Sequence, residues 1–80
     1  GIMNNKLGEL TNKFGKKLKM ERKKRNLSQF ALAELSDLNK NSIGVIERAE
    51  NSPTLETIEK LANALNMPVT ELIDVSKVDL

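Results

Sequence analysis

Apolar residues recur along this chain at steps of three and four, the helical period, and nowhere alternate as a half-buried strand would. Leu7, Leu10, Phe14 and Leu18 form one stripe with the lysines off it, which predicts a first helix from Leu7 or Leu10 to Arg25. Cations gather in its last turn, where the helix dipole favours them. Asn26 follows, a residue that tolerates the left-handed conformation of a C-terminal cap. Ser28 is a good N-cap for a second helix over Gln29–Leu35 that buries Leu32 and Ala33. Leu38 plugs the turn, and Asn39 caps a third helix, Lys40–Arg48, with Ile43 and Ile46 inward. Thr54 caps a fourth, Leu55–Leu65, whose buried stripe is Leu55, Ile58, Leu61, Ala62 and Leu65. Pro68 opens a short fifth helix, Val69–Asp74. The tail after it has neither cap nor period and is expected to be partly disordered or docked on a partner. The chain divides into an N-terminal extension (1–9), a helical domain (10–74) and a tail (75–80). Gly1 and Ile2 precede Met3, which reads as the native start, and fit a cloning remnant.

Composition narrows the chemistry. Eighty residues make one small all-α domain whose core is limited by its size. The absence of Cys and His excludes disulfides, thiolate or imidazole metal sites and the commonest general base. No Tyr or Trp, no paired carboxylates in an evident pocket and no Gly-rich phosphate loop occur either, so an enzyme is not expected, nor any metal or cofactor. No apolar run approaches the roughly 18 residues of a membrane span, and no signal peptide is visible, which points to the cytoplasm. Net charge is only +2, but its distribution is uneven: residues 1–48 hold 11 Lys/Arg against 5 Asp/Glu, and residues 49–80 hold 2 against 6. A chain basic in one half and acidic in the other suits a polyanion on one side only.

Helices two and three are joined by only Ser36 to Asn39, the tight connection of a helix-turn-helix. Ala33 allows the helices to cross closely, Leu38 fills the corner, and Ile43 and Ile46 face back from the third helix. Asp37 stands where the turn wants a positive φ. From Leu27-Ser28-Gln29 through Leu32-Ala33, Leu38, Ile43, Ile46-Glu47-Arg48 and Pro53-Thr54-Leu55 to Leu61-Ala62 and Ala64-Leu65, the sequence resembles the lambda-repressor/Cro-type (XRE) helix-turn-helix family. The resemblance covers about Phe14 to Ile73. It implies a compact five-helix DNA-binding domain that binds operator DNA, usually as a dimer. It also implies that Arg22 pairs with Glu47 and sets the angle of the third helix. Departures from the family pattern are Asn26 and Asp37 for glycines, Phe30 for a polar residue and Glu21 beside Met20 for a leucine.

In this motif the third helix lies in the major groove with its N-terminal residues at the base edges. The outward positions are Lys40, Asn41, Gly44, Val45 and Arg48. Asn41 suits adenine N6/N7, Lys40 suits guanine O6/N7, and Val45 offers methyl groups to thymine, with Asn39 a further reader. Gly44 removes a side chain where the helix would lie closest to the bases. Phosphate contacts are expected from Ser28 and Gln29 at the start of the second helix, from Asn51 and Ser52 after the third, and from Ser42 and Arg48 between them. Lys13, Lys16 and Lys17 add field. Leu65, Met67, Val69, Leu72, Ile73 and Val75 supply a candidate homodimer interface.

The function expected is a dimeric, sequence-specific transcriptional regulator, a repressor or controller protein, on an inverted-repeat operator. No small-molecule effector segment is evident. The alternative is an antitoxin-type or protein-interaction module that keeps the fold, for which an exposed Phe30 near the DNA face would speak.

Overall fold

The computed structural model of the chain describes residues 8–80. Residues 1–7, with Leu7 and the proposed remnant and start at Gly1, Ile2 and Met3, lie outside the described residues. Five helices follow one another: α1 (Glu9–Lys24), α2 (Gln29–Leu35), α3 (Ser42–Glu47), α4 (Leu55–Ala64) and α5 (Val69–Leu72). No strand occurs among the described residues. α1 packs on α3, α2 on α3 and α4, and α4 on α5.

Their shared core is built from Phe14, Leu18, Leu32, Ala33, Ile43, Ile46, Leu61, Ala62, Leu65, Met67 and Leu72. Each leucine or isoleucine enclosed there contributes about 1.5–3 kcal/mol through loss of apolar surface to water. Ile58 packs against its edge, and two members of the expected stripes are exposed. Leu10 is 63% exposed and Leu55 is 81% exposed: each sits in the first turn of its helix, on an open apolar surface at the edge of the core and not within it. Ser28 and Thr54 cap as their chemistry requires: the Ser28 hydroxyl accepts from the Ala31 N–H at 3.0 Å, and Thr54 from the Thr57 N–H at 3.1 Å.

The first four helices end alike. Asn26, Asp37, Ala49 and Asn66 each adopt a left-handed backbone, with φ of 55–56°. In each case the left-handed residue's N–H and the next residue's N–H return to carbonyls of the last helical turn, as Asn26 to Lys23 and Leu27 to Arg22. This is the Schellman arrangement. After three of the four comes an apolar residue packed against the core: Leu27, Leu38 or Met67. After Ala49 comes the exposed Glu50.

Glu21, the departure from the family's leucine, is buried within a ring of cations. Its carboxylate accepts from Arg25 at 2.9 Å, with Lys24 at 3.4 Å and Lys17 at 3.6 Å. Burial alone would push its pKa up, but the Arg25 hydrogen bond and the charges of Lys24 and Lys17 outweigh burial and hold it below its ordinary value. Arg25 goes on to donate to the Leu65 carbonyl at 2.9 Å, tying α1 to the end of α4. The tail is neither free nor left to a partner. Val78 is buried, the Lys16 ammonium donates to the Asp79 carbonyl at 3.1 Å, and a turn at Asp74–Ser76 brings the chain back onto α1. The tail's lack of period misled because a single buried valine has none to show. The fifth helix is also shorter than expected, ending at Leu72, although the Ile73 N–H still returns to the Val69 carbonyl.

Candidate nucleic-acid interface

The second and third helices are set by their ends. Ala33 and Leu32 are enclosed at the crossing, and the buried Ser36 hydroxyl is satisfied by the Leu32 and Ala33 carbonyls at 2.7 and 3.2 Å. α3 proper starts at Ser42, two residues later than expected. Asn39 nevertheless shapes its approach: its side-chain oxygen accepts from the Asn41 N–H at 2.9 Å, and its carbonyl from the Ser42 N–H at 2.9 Å. The residues before Ser42 thus form an Asx turn, in which the side-chain bond competes with helical geometry.

The angle of α3 is held from α1. Arg22 Nε and Nη2 donate to Glu47 Oε2 and Oε1 at 2.7 and 3.0 Å, and Arg22 Nη1 donates to the Leu27 carbonyl at 2.8 Å. The Gln29 amide adds a bond to Glu47 Oε1 at 3.0 Å. A two-pronged arginine–carboxylate contact fixes orientation as well as distance. α1 approaches closely at Gly15. A Cβ there would stand 2.7 Å from the Ile46 carbonyl oxygen and 2.8 Å from that of Glu47.

With Ile43 and Ile46 turned inward, the outer side of α3 opens onto a shallow groove. Asn39, Asn41, Ser42 and Val45 line one wall, and Asn51, Ser52, Thr54 and Thr57 the other. Four of the expected readers and phosphate contacts, Asn39 and Asn41 before α3 and Ser42 and Val45 on it, are therefore brought together with Asn51 and Ser52. Thr57 was not anticipated. Its hydroxyl lies 3.0 Å from that of Thr54, and the signal for it was a second threonine one turn into a helix that follows Ser52-Pro53. Lys40 is exposed at the mouth of α3, outside the groove lining. The Ser28 hydroxyl is engaged in its cap and the Gln29 amide in holding Glu47.

Gly44 is not the outward bare patch expected. It is buried beneath two side chains. A Cβ at Gly44 would meet Arg48 Nη1 at 2.8 Å and Gln29 Oε1 at 3.2 Å. The helical wheel was right about direction, but long neighbours fold over a position that has no side chain of its own. Arg48 in turn donates from Nε and Nη2 to Glu50 at 2.8 and 3.3 Å.

The expected dimer residues divide. Leu65, Met67 and Leu72 are core residues and are not available to a partner. They are consumed because α4 packs on α2 and α5, which closes these side chains into the shared core within one chain. Val69 and Val75 are half-buried and Ile73 is exposed. A different apolar surface stands open, where Leu10, Phe14, Leu55, Ile58 and Ile73 meet Pro53. It adjoins the polar groove, since Ser52 and Pro53 line both. Among the described residues no group of acidic side chains is placed to hold a metal ion, and no helix is long and apolar enough to cross a membrane.

Comparison with known proteins meets this geometry. The model of the helix-turn-helix family HTH_3 matches residues 18–72. Control protein C.SmaI of Serratia marcescens is 50% identical over 48 residues, 60% of this chain and 57% of that protein. The immunity repressor protein of Bacillus phage phi105 is 37% identical over 59 residues, 74% of this chain and 41% of the repressor. The chain thus spans about half the length of these two relatives. Among solved structures, the restriction-modification controller protein C.AhdI from Aeromonas hydrophila superposes with a TM-score of 0.75 at 41% identity, over 80% of this chain and 96% of that one.

Proposed function

The chain belongs to the helix-turn-helix family HTH_3, a family of DNA-binding transcriptional regulators rather than enzymes, and from that premise we propose that it binds operator DNA as a homodimer with α3 in the major groove. The observation that supports this most is the polar groove beside α3. It puts Asn39, Asn41 and Val45, suited to base edges, opposite Asn51 and Ser52, suited to phosphate, while Ile43, Ile46 and the Arg22–Glu47 pair fix the helix between them. Lys40 reaches a guanine from the mouth of α3, and Ser28, Gln29, Ser42 and Arg48 face the phosphates. The second subunit covers the apolar surface of Leu10, Leu55, Ile58 and Ile73. That surface is continuous with the reading groove, so a two-fold axis through it directs both copies of α3 to one side of the duplex. The two would lie about 34–36 Å apart, one turn of DNA.

Selection of bound sites from a random duplex pool, followed by a salt titration, tests this reading. An inverted repeat should be enriched. Affinity should fall by about 10³-fold or more between 50 and 200 mM salt if six or more phosphates are contacted. Recovery of no motif, with binding indifferent to salt, would instead favour a protein-interaction module, a second reading that the 55% exposed Phe30 supports. Within the selected operator, Asn41→Ala should cost about 1–3 kcal/mol and relax the preference at a single base pair, measured by fluorescence anisotropy against every base at that position. An equal loss on all sequences would make Asn41 a phosphate contact.

A further inference from the structure

The end of α3 departs from the other helix ends in two respects at once. Its left-handed residue is Ala49, where the other three are Asn or Asp, and L-residues other than these enter that region only at a cost. The next residue is the exposed Glu50, where the other three are apolar and packed inward. The bend therefore anchors no core residue. What it does is bring the Glu50 carboxylate back to Arg48, two positions earlier, in a two-pronged contact at 2.8 and 3.3 Å. The guanidinium so held lies across Gly44, near Gln29, a placement any side chain at 44 would obstruct. Ala49, Glu50 and Gly44 thus all bear on where Arg48 rests.

We infer that Glu50 is a positioning residue that stores Arg48 against α3 in the free protein, and that a DNA phosphate takes Glu50's place and draws Arg48 out. The inference rests on the proposed DNA binding. It adds that affinity is restrained by an internal competitor for one of the phosphate-directed cations. A phosphate offers the same paired oxygens as a carboxylate, so the exchange keeps the arginine's geometry of recognition. The Arg48 hydrogen bond holds the Glu50 carboxyl below its ordinary pKa, as a formed pair requires.

Two measurements test this. The first needs no DNA: the Glu50 carboxyl is titrated by NMR in the parent chain and in Arg48→Met. Its pKa should rise in the variant, and an unchanged value overturns the proposal because the pair is then not formed in solution. The second is a double-mutant cycle on double-stranded DNA of random sequence at low salt. Glu50→Gln should tighten binding, and the gain should be about two- to five-fold larger with Arg48 present than in Arg48→Met, the range of an exposed ion pair. Equal gains in both backgrounds would mean that Glu50 merely repels the polyanion, and would overturn it. Failure of the parent chain to bind any duplex would overturn the proposed function, and this proposal with it. That outcome is recognisable because the carboxyl titration would still report the pair.

Discussion

Arg22→Ala is expected to lower the free energy of unfolding by about 3–5 kcal/mol, the usual result of removing one partner from a buried ion pair. The loss comes less from the missing attraction than from what stays behind. The Glu47 side chain is only 3% exposed, and without Arg22 its charge keeps one side-chain hydrogen bond, from the Gln29 amide, and the field of Arg48, which is itself bound to Glu50. The Leu27 carbonyl loses a donor as well. For a domain of this size, 1 kcal/mol corresponds to roughly 4–8 °C, so the melting temperature should fall by upwards of about 12 °C in a thermal scan followed by circular dichroism. Arg22→Lys keeps the charge but not the fork, and should fall between the two. An Arg22→Ala chain that melts with the parent would show that the pair does not hold α3.

Gly15→Ala should reverse the usual sign. Within a helix, alanine in place of glycine ordinarily stabilises by about 0.5–1 kcal/mol. Here the new methyl would press on two backbone carbonyls of α3, at 2.7 and 2.8 Å, and a backbone cannot swing aside as a side-chain tip can. Overpacking of this kind costs about 1–3 kcal/mol. Urea denaturation should therefore show a less stable chain. The displaced element is the reading helix itself, so DNA affinity should drop under conditions where the variant is still fully folded. A stabilised variant would mean that α1 and α3 do not meet so closely.

Much of this architecture was legible because burial imposes a period. Leu32, Ala33, Ile43 and Ile46 repeat as a helix pair must if it is to cover its own crossing, and the caps Ser28 and Thr54 announce themselves by chemistry within three residues. The five helices and the family follow from these. What stayed hidden depends on neighbours that a stripe does not name. Leu10 and Leu55 have the right spacing for the core, but the first turns they occupy lie on an open surface that the rest of the described residues line without covering. Leu65, Met67 and Leu72 are apolar enough for an interface, and only the packing of α4 on α2 and α5 shows that they are spent inside. Gly15 and Gly44 look alike in sequence. One admits the backbone of α3 and the other lies under two side-chain tips, a difference that exists only once the helices are packed. Ala49 could not be foreseen as left-handed, because alanine has no preference for it; two backbone hydrogen bonds impose it.

The four Schellman ends also bear on how the chain finds this arrangement. Each reversal of direction is closed by backbone bonds reaching no more than five positions back, so it costs little loop-closure entropy and waits for no distant contact. Among the side-chain bonds that close wide spans are those from cations of α1 and of the residue that caps it: Arg22 reaches across 25 positions, Arg25 across 40 and Lys16 across 63. The lysines and arginines that make α1 look like a surface for DNA serve first as the latch that draws the ends of the domain together.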